Sequence, residues 1–207
     1  MTCVAADVAT EDGRKAILDA LGATARLKYL VHSAGVNSAT LMQAEAAAKV
    51  WDETLAINLD ALFHLSVLLA PNLRDGGRML FVGSNSATKP RRGGAAYCVS
   101  RAAAWMLYRC LKLELADSGV LMTSAIPSPV NTDMVRAQMV ADPAVFPDGA
   151  VYARQLAAGE MIEPETVGIF YRWLLTGTDD QQFAALEWNI QDPAHHPAWL
   201  GDRSLFG

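Results

Sequence analysis

The feature that most constrains the fold is an alternation of short apolar runs with longer periodic segments. The short runs have the length and composition of buried strands, and they cover residues 2–6, 27–32, 78–82, 120–126 and 183–190. The longer segments have helical periodicity, and they cover residues 11–21, 44–69, 95–115 and 164–175. Strands that are separated by helices pair in parallel through right-handed crossovers. The sequence therefore predicts a single α/β domain over residues 1–207, with helices on the faces of a parallel sheet.

Polar or small residues follow these strands at the points where they end. They are Asp7, the turn Ser33-Ala34-Gly35, Ser84 and the dipeptide Pro127-Ser128. The carboxyl ends of parallel strands meet at one edge of a sheet, and ligands of such sheets bind there. The sequence therefore predicts a ligand site at this edge. Pro71 is expected to end the helix over residues 44–69, and residues 127–159 are expected to be rich in loops.

Tyr97 and Arg101 are the residues with the clearest chemical meaning. They are four positions apart in a predicted helix, so they share one face of it. Ser84, at the end of a neighbouring strand, can meet the tyrosine hydroxyl. A nearby cation favours the ionised form of a phenol, and a serine hydroxyl can hold a substrate oxygen. The pattern predicts a proton-transfer site for carbonyl/alcohol chemistry; the helical pair alone also fits a surface tyrosine packed against an arginine.

Composition argues against several other classes of function. The net charge of −5 is the wrong sign for a protein whose main partner is nucleic acid. Cys3, Cys98 and Cys110 show no metal-ligand spacing and favour a reducing compartment without disulfides. No apolar run approaches a membrane-spanning length, and the N-terminus has no basic region followed by an apolar core. We expect a cytoplasmic protein with no metal site and no membrane partner, in which His195-His196 belongs to a polar tail.

With these residues placed, the chain resembles the short-chain dehydrogenase/reductase family from Asp7 onward. Ser33-Ala34-Gly35 resembles the family's Asn-Ala-Gly turn, with serine in the place of asparagine. Tyr97 and Arg101 resemble its Tyr-x-x-x-Lys pair, with arginine in the place of lysine. Residues 127–132 resemble its Pro-Gly-x-x-x-Thr segment, with Ser128 in the place of glycine. The resemblance implies a Rossmann-like, doubly wound parallel sheet.

The resemblance also implies a role for each site residue. Tyr97 would be the general acid/base and Arg101 its electrostatic helper, while Ser84 would hold the substrate and Asn58 would anchor a water relay. The residues implied to bind the cofactor are Asp7, Ser33, Ala34, Gly35, Tyr97, Arg101, Pro127, Ser128, Val130 and Thr132. The implied cofactor is NADP or NAD. The implied reaction moves a hydride between that cofactor and a small-molecule carbonyl or alcohol.

One part of the family pattern is missing from the sequence. No Gly-x-x-x-Gly-x-Gly occurs, so the resemblance implies an N-terminally truncated sheet in which the first two strand–helix units, roughly fifty residues, are absent. Such a loss removes the helix N-terminus that binds a pyrophosphate. It also leaves open strand edges, unless residues 2–6 move in beside residues 28–32. A reading frame that starts at an internal methionine explains the same facts.

Two functional hypotheses follow from the resemblance. The first is an NAD(P)-dependent oxidoreductase; the second is a non-catalytic fragment or interaction module that has lost cofactor binding. The helices over residues 44–69 and 95–115 correspond to the family's usual dimer surface, which implies a homodimer or homotetramer. Residues 127–160 correspond to its substrate lid. There, Met134, Met139, Phe146 and Tyr152 either suit a medium-sized apolar carbonyl or pack in the core.

Several assignments stay open in the sequence. Ser86 is an alternative to Ser84, although Ser84 has the better spacing to Tyr97. Asn58 also fits a buried polar residue that the backbone satisfies, and Asp7 also fits a loop or helix N-terminal carboxylate. The pair Arg91-Arg92 fits a solvated loop better than an anion site. Cys98 has no base nearby in sequence, which favours a packed helix cysteine over a nucleophile.

Overall fold

A parallel sheet forms the centre of the molecule, and the described part of the chain supplies four strands that pair in chain order. The computed structural model describes residues 3–22, 24–73, 75–127, 129–185 and 187–206. The strands are β1 (Tyr29–His32), β2 (Arg78–Val82), β3 (Leu121–Ile126) and β4 (Glu187–Asn189). Each pair of consecutive strands is connected through at least one helix, as parallel pairing requires.

The helices pack on both faces of this sheet. Between the first two strands, two helices form one long rod that a π-helical turn, Ala56–Asp60, interrupts. The α-helices are α1 (Glu11–Leu21), α2 (Ala47–Leu55), α3 (Ala61–Leu73), α4 (Ala95–Glu114), α5 (Asp133–Met139), α6 (Asp148–Ala157), α7 (Pro164–Thr176), α8 (Asp180–Ala185) and α9 (His196–Trp199). Short 3-10 turns lie at Asn85–Ala87, Ala116–Ser118 and Pro193–His195.

The alternation of side chains along β2 divides the interior into two cores. Met79 and Phe81 join a cluster with residues of α3 and α4, whereas Leu80 joins a cluster with α7 and the C-terminal region. All three side chains are almost completely buried. Helices therefore cover both faces of the sheet, which confirms the predicted doubly wound, Rossmann-like fold.

Two predictions near the N-terminal half are wrong. The described residues of the predicted strand 2–6 form no strand, and Val4 is 42% exposed. In the described part of the chain β1 pairs with β2 alone, so the proposed move of residues 2–6 beside β1 is not seen. Pro71 does not end its helix, because α3 continues to Leu73. Tertiary hydrogen bonds hold this last turn: Asn72 donates to the Ala25 carbonyl at 2.8 Å and accepts from Leu27 N–H at 2.9 Å.

The C-terminal half is more helical than the sequence predicts. The expected loop over residues 127–159 contains α5 and α6. The expected strand over residues 183–190 begins as α8 and becomes extended only at β4. Thr132 explains one of these helices, because its side chain caps the N-terminus of α5 by accepting from Val135 N–H.

The expected polar tail is instead part of the second core. His195 is buried and stacks on Phe170 with ring centroids 5.3 Å apart. Trp199 Nε1 donates to His195 Nδ1 at 2.8 Å, so the neutral ring carries its proton on Nε2 and donates it to the Asn189 carbonyl. Burial also lowers the pKa of His195. The imidazole is therefore a structural group in an aromatic cluster.

One helical rod, Ala47–Leu73, is long and apolar enough to cross a membrane by length and composition, contrary to what the sequence analysis expected. It belongs to the core, since its residues Asn58, Ser66 and Leu73 are almost completely buried against the sheet and α4. This packing accounts for part of the rod, whereas its residues Phe63, Val67 and Leu68 are exposed. The absence of a membrane partner stays a prediction.

Stability is expected to decrease in mild acid because of His32. Its Nε2 lies 3.0 Å from Ser66 Oγ, and burial lowers its pKa from 6.5 to about 4. The unfolded chain therefore binds more protons than the folded chain between these values, so stability is complete above 6.5 and is lost as the pH falls toward 4. We expect the free energy of unfolding to fall by about 1.4 kcal/mol per pH unit below about pH 6.

Urea unfolding at several pH values measures this slope. His32→Leu should make it shallower, because the variant lacks the His32 imidazole, which is protonated more readily in the unfolded chain than in the folded one. An equal slope in the wild type and in His32→Leu would contradict the assignment.

Candidate active site

A cavity of about 430 Å³ opens at the carboxyl ends of β2 and β3, next to Val82 and Ile126. Its wall includes most of the residues that the sequence singled out, which are Ser33, Ser84, Tyr97, Arg101, Pro127, Val130 and Thr132. Asp7, Ala34, Gly35 and Asn58 are outside this lining. Ser128 lies outside the described residues. The end of β2 and the helix α4 thus bring Ser84, Tyr97 and Arg101 to one cavity.

Tyr97 and Arg101 lie together in the first turns of α4. The Arg101 guanidinium carbon is 5.0 Å from the centroid of the Tyr97 ring. Both side chains line the cavity, and the Tyr97 hydroxyl makes no hydrogen bond to another described residue. A cation held over a phenol ring is a stabilising contact of its own. The tyrosine oxygen therefore remains free to exchange a proton with a ligand.

Arg101 has few partners for a buried cation. It is 8% exposed, its Nε has no hydrogen-bond partner among the described residues, and Nη1 is 3.4 Å from the Val82 carbonyl. A Cβ built on Gly35 would lie 2.4 Å from Arg101 Nη2. Glycine at this position leaves the room that the guanidinium needs. Arg101 is thus positioned by space and by the Tyr97 ring, with donors to spare for a ligand.

Asn58 lies behind the cavity wall and joins three parts of the fold. Its Oδ1 accepts from Val36 N–H at 2.8 Å, and its Nδ2 donates to the Val36 carbonyl at 2.9 Å and to Ser100 Oγ at 3.0 Å. Ser100 in turn donates to the Tyr97 carbonyl at 2.8 Å. Asn58 is 1% exposed, and these bonds match the alternative in which the backbone satisfies it. It holds the turn after β1 against the part of α4 that carries Tyr97.

The two serines after β2 have different environments. Ser84 Oγ accepts from Ser86 N–H at 3.1 Å, which leaves its own proton available to a ligand. Ser86 is buried, and its Oγ accepts from Arg91 Nε at 2.9 Å. Both line the cavity. Ser84 is half-buried, whereas Ser86 is buried and engaged by Arg91, which favours Ser84 as the group that holds a substrate oxygen.

Arg91 is a site residue that the sequence did not favour. It lines the cavity, bonds to Ser86 and forms an ion pair with Asp148 of α6, where the two side chains are 21% and 34% exposed. Arg92 is exposed and donates to the Ala144 carbonyl at 2.8 Å. The solvated-loop interpretation is therefore wrong for Arg91, because the lid folds over it.

The lid residues divide between the cavity and the core. Met134 and Tyr152 line the cavity, whereas Phe146 is 1% exposed and packs on Tyr152 with ring centroids 6.2 Å apart. Met139 is half-buried and does not line the cavity. Burial raises the pKa of Tyr152. Both interpretations of these residues are therefore partly right.

Two further polar residues of the wall were missed. Gln138 of α5 is buried and Tyr171 of α7 is largely so, and Gln138 Nε2 and Tyr171 Oη have no hydrogen-bond partner among the described residues. Burial raises the pKa of Tyr171. Tyr171 is four residues after the buried Val167, a spacing that signals a shared helix face. Gln138 had no such signal, because its segment was interpreted as a loop.

The remaining candidates lie away from the cavity. Asp7 is exposed, and its Oδ1 accepts from Ala9 N–H at 2.9 Å in the turn before α1, which matches the loop-carboxylate alternative. Cys98 lies next to Tyr97 with its Sγ 3.6 Å from the Lys89 carbonyl. Within the described ranges, no group of three or more His, Cys, Asp or Glu residues could hold a metal ion.

The cavity fits one end of a nicotinamide cofactor. Arg101 and Tyr97 offer unpaired donors beside the end of β2, where ribose hydroxyls could bind, and Thr132 lines the same wall. The other end of such a cofactor needs a glycine turn at a helix N-terminus, and the sequence has no Gly-x-x-x-Gly-x-Gly. The residues present therefore fit the nicotinamide and its ribose, while the sequence lacks the usual pyrophosphate cradle.

Comparison with known proteins agrees with this fold. The model of the short chain dehydrogenase family matches residues 1–142. The chain therefore belongs to the short chain dehydrogenase family, a family of oxidoreductases.

Individual relatives are similar over part of their length. The chain is 35% identical over 126 residues to 2,3-dihydro-2,3-dihydroxybenzoate dehydrogenase of Escherichia coli K12, which covers 60% of this chain and 50% of that protein. It thus spans about half the length of curated relatives. A short chain dehydrogenase/reductase structure from Saccharomyces cerevisiae shares the fold with a TM-score of 0.82 at 19% identity, covering 95% of this chain and 79% of that one.

One solved relative contains a cofactor. It is a Beutenbergia cavernae protein described as an NAD(P) dependent gluconate 5-dehydrogenase, with NADP bound at low occupancy. The similarity has a TM-score of 0.70 at 26% identity, and it covers 90% of this chain and 72% of that one.

Replacing Asn58 should destabilise the protein strongly. Asn58→Ala leaves the Val36 N–H and carbonyl without their partner, and we expect the free energy of unfolding to fall by about 2–4 kcal/mol. Asn131→Ala is the matched control, because among the described residues the Asn131 side chain bonds to the side chains of Glu163 and Arg136 alone, at a half-buried site. Chemical denaturation compares the two variants. Equal losses would contradict the special role of Asn58.

Proposed function

We propose that this protein is an oxidoreductase that moves a hydride between NAD or NADP and a small carbonyl/alcohol pair. The observation that carries the proposal is the meeting of Ser84 and Tyr97 in one cavity, with the Arg101 guanidinium against the Tyr97 ring. Family membership supports an oxidoreductase. The cavity volume of about 430 Å³ suits a small molecule.

The proton transfer falls to Tyr97. In the reducing direction, Ser84 donates a hydrogen bond to the carbonyl oxygen of the substrate and Tyr97 gives its hydroxyl proton to the same oxygen. The positive charge of Arg101 then stabilises the tyrosinate that results. In the oxidising direction the tyrosinate removes the proton of the alcohol. The nicotinamide supplies or accepts the hydride.

Binding of the cofactor is proposed for the residues that line the cavity near Arg101. Arg101 and Tyr97 would hold the ribose, and Ser33, Pro127, Val130 and Thr132 would line the nicotinamide. Arginine keeps the charge of the family's lysine but spreads it over a planar group of different reach.

The cytoplasm is the proposed location, since all three cysteines are free.

The second candidate is an interaction module without catalysis. One observation favours it, namely the edge of β1, which pairs only with β2 in the described part of the chain. An open strand edge is a template for pairing with another chain. Cofactor binding separates the two candidates.

The first experiment titrates the protein with NADPH and with NADH while nicotinamide fluorescence and thermal unfolding are followed. We expect micromolar-range binding of one cofactor and a raised melting temperature, because a ligand of the folded state stabilises it. Absence of binding by a protein that still unfolds cooperatively would support the interaction module.

Removal of the Tyr97 hydroxyl should abolish turnover. Tyr97→Phe is expected to lower kcat for NADPH-dependent reduction of aryl ketones by a factor of roughly 10²–10⁴. Tyr152→Phe is the control, since Tyr152 lines the same cavity but is not placed in the reaction. A Tyr97→Phe variant as active as Tyr152→Phe would overturn the assignment.

Self-association is proposed for the outer face of α3 and α4. Val99, Met106 and Leu113 are exposed and repeat every seven residues, so they form one stripe along α4. On α3, Phe63 and Val67 are exposed in the same way. Family members often oligomerise, and exposed apolar stripes of this kind mark candidate interfaces. We propose a homodimer or homotetramer built on it.

A charge in this stripe should separate the subunits. Met106→Lys is expected to shift the protein from dimer or tetramer to monomer in light scattering after size-exclusion chromatography, because a buried unpaired charge opposes association. Val140→Lys is the control, since Val140 is 85% exposed and lies in the lid. A monomeric wild type would refute the proposed interface.

A further inference from the structure

Gln138 has an unmet hydrogen-bond donor at the wall of the cavity. The residue is 4% exposed, and its Nε2 has no partner among the described residues. Buried amide groups are nearly always hydrogen-bonded in folded proteins, because an unmet donor costs its hydration. Because Gln138 also lines the cavity, a ligand bound there could supply the acceptor.

The lid holds Gln138 in this place. The backbones of α5 and α6 touch, because a Cβ built on Gly149 would lie 2.3 Å from the Gln138 carbonyl oxygen. Asp148, the residue before Gly149, is ion-paired with Arg91, which also donates to Ser86 in the loop after β2. Gln138 is therefore tied through α6 to the loop that carries the reacting serine.

The same contacts indicate whether the ligand group that binds Gln138 is charged or neutral. Arg91 is the cation on this side of the cavity, and Asp148 neutralises it. The neighbouring lid residues Met134 and Val135 are apolar. Arg101, the other described cation that lines the cavity, is proposed above to hold the cofactor, so a carboxylate at Gln138 would meet no cation left unpaired, whereas an uncharged oxygen needs only the amide donor.

We propose that Gln138 is a specificity residue that donates a hydrogen bond to a second, uncharged oxygen of the substrate. The substrate class is then a dicarbonyl or a hydroxycarbonyl, with one oxygen at Ser84 and Tyr97 and the other at Gln138. The assignment of the reacting oxygen rests on the proposed function; the second oxygen rests on Gln138 itself.

Matched ketones test the second oxygen. Acetylbenzoyl and propiophenone have the same skeleton, with and without a second carbonyl; benzoylacetone and butyrophenone form such a pair with a longer spacing. Calorimetric titration, with and without NADP, should show that at least one dicarbonyl binds about tenfold more tightly than its monoketone. Gln138→Leu should reduce that ratio to about one.

Gln155→Leu is the matched control. Gln155 lies on α6 and also has a buried side-chain oxygen without a partner among the described residues, but it does not line the cavity. This variant should keep the wild-type ratio.

Thermal unfolding gives a second readout that needs no ligand. Replacement of an unmet buried donor by an apolar group of similar size is neutral or stabilising, so Gln138→Leu should melt at the wild-type temperature or above. A structural role would lower the melting temperature instead.

The inference is overturned if neither dicarbonyl is preferred, if Gln138→Leu keeps the preference, or if that variant melts markedly lower. Failure of the proposed function looks different. A preference that depends on Gln138, in a protein that neither binds NADPH nor reduces the ketones, leaves the specificity site standing and removes the oxidoreductase.

Discussion

The hydrogen bonds of Asn58 are the interaction on which the rest of the site depends. The π-helical turn Ala56–Asp60 carries this side chain, which pairs with both backbone groups of Val36 and with Ser100. Through Ser100 the contact reaches the carbonyl of Tyr97. One buried amide thus connects the end of β1, the α2–α3 rod and α4. The position of the Tyr97 hydroxyl relative to the strand ends follows from this connection.

Two buried arginines differ in how many of their hydrogen-bond donors have partners. Arg78 and Arg101 are both 8% exposed. Arg78 donates to the carbonyls of Leu174, Leu175 and Thr178 and pairs with Asp180, so its donors are used to tie β2 to the end of α7. Among the described residues, Arg101 makes one hydrogen bond, to the Val82 carbonyl at 3.4 Å, and its Nε has no partner. Since burial of an unsatisfied cation is costly, this contrast supports the proposal that a ligand binds in the cavity.

The lid over residues 127–160 also contributes residues to the cavity. Its helices are short, and their stability comes from contacts with the body of the protein, among them the Arg91–Asp148 ion pair and the approach of Gly93 to the Val145 carbonyl. Gly93 adopts φ of +70°, and a Cβ there would lie 2.3 Å from the Val145 carbonyl oxygen, so the loop before α4 and the lid fit only with glycine at this position. The cavity is therefore lined both by residues at the strand ends and by a lid with its own polar groups.

Local pattern in the sequence was sufficient for the main elements and for the reacting groups. The helix Glu11–Leu21 and the strand Arg78–Val82 agree with it to the residue, and the i, i+4 spacing of Tyr97 and Arg101 placed both on one helix face, because such periodicities depend only on near neighbours. The π turn that holds Asn58, the lid helices and the role of Arg91 were decided by the tertiary structure. Arg91 meets Asp148 across 57 residues, and Gln138 is buried only because α6 packs on α5. Contacts between distant segments, which local sequence periodicity does not encode, determined these features.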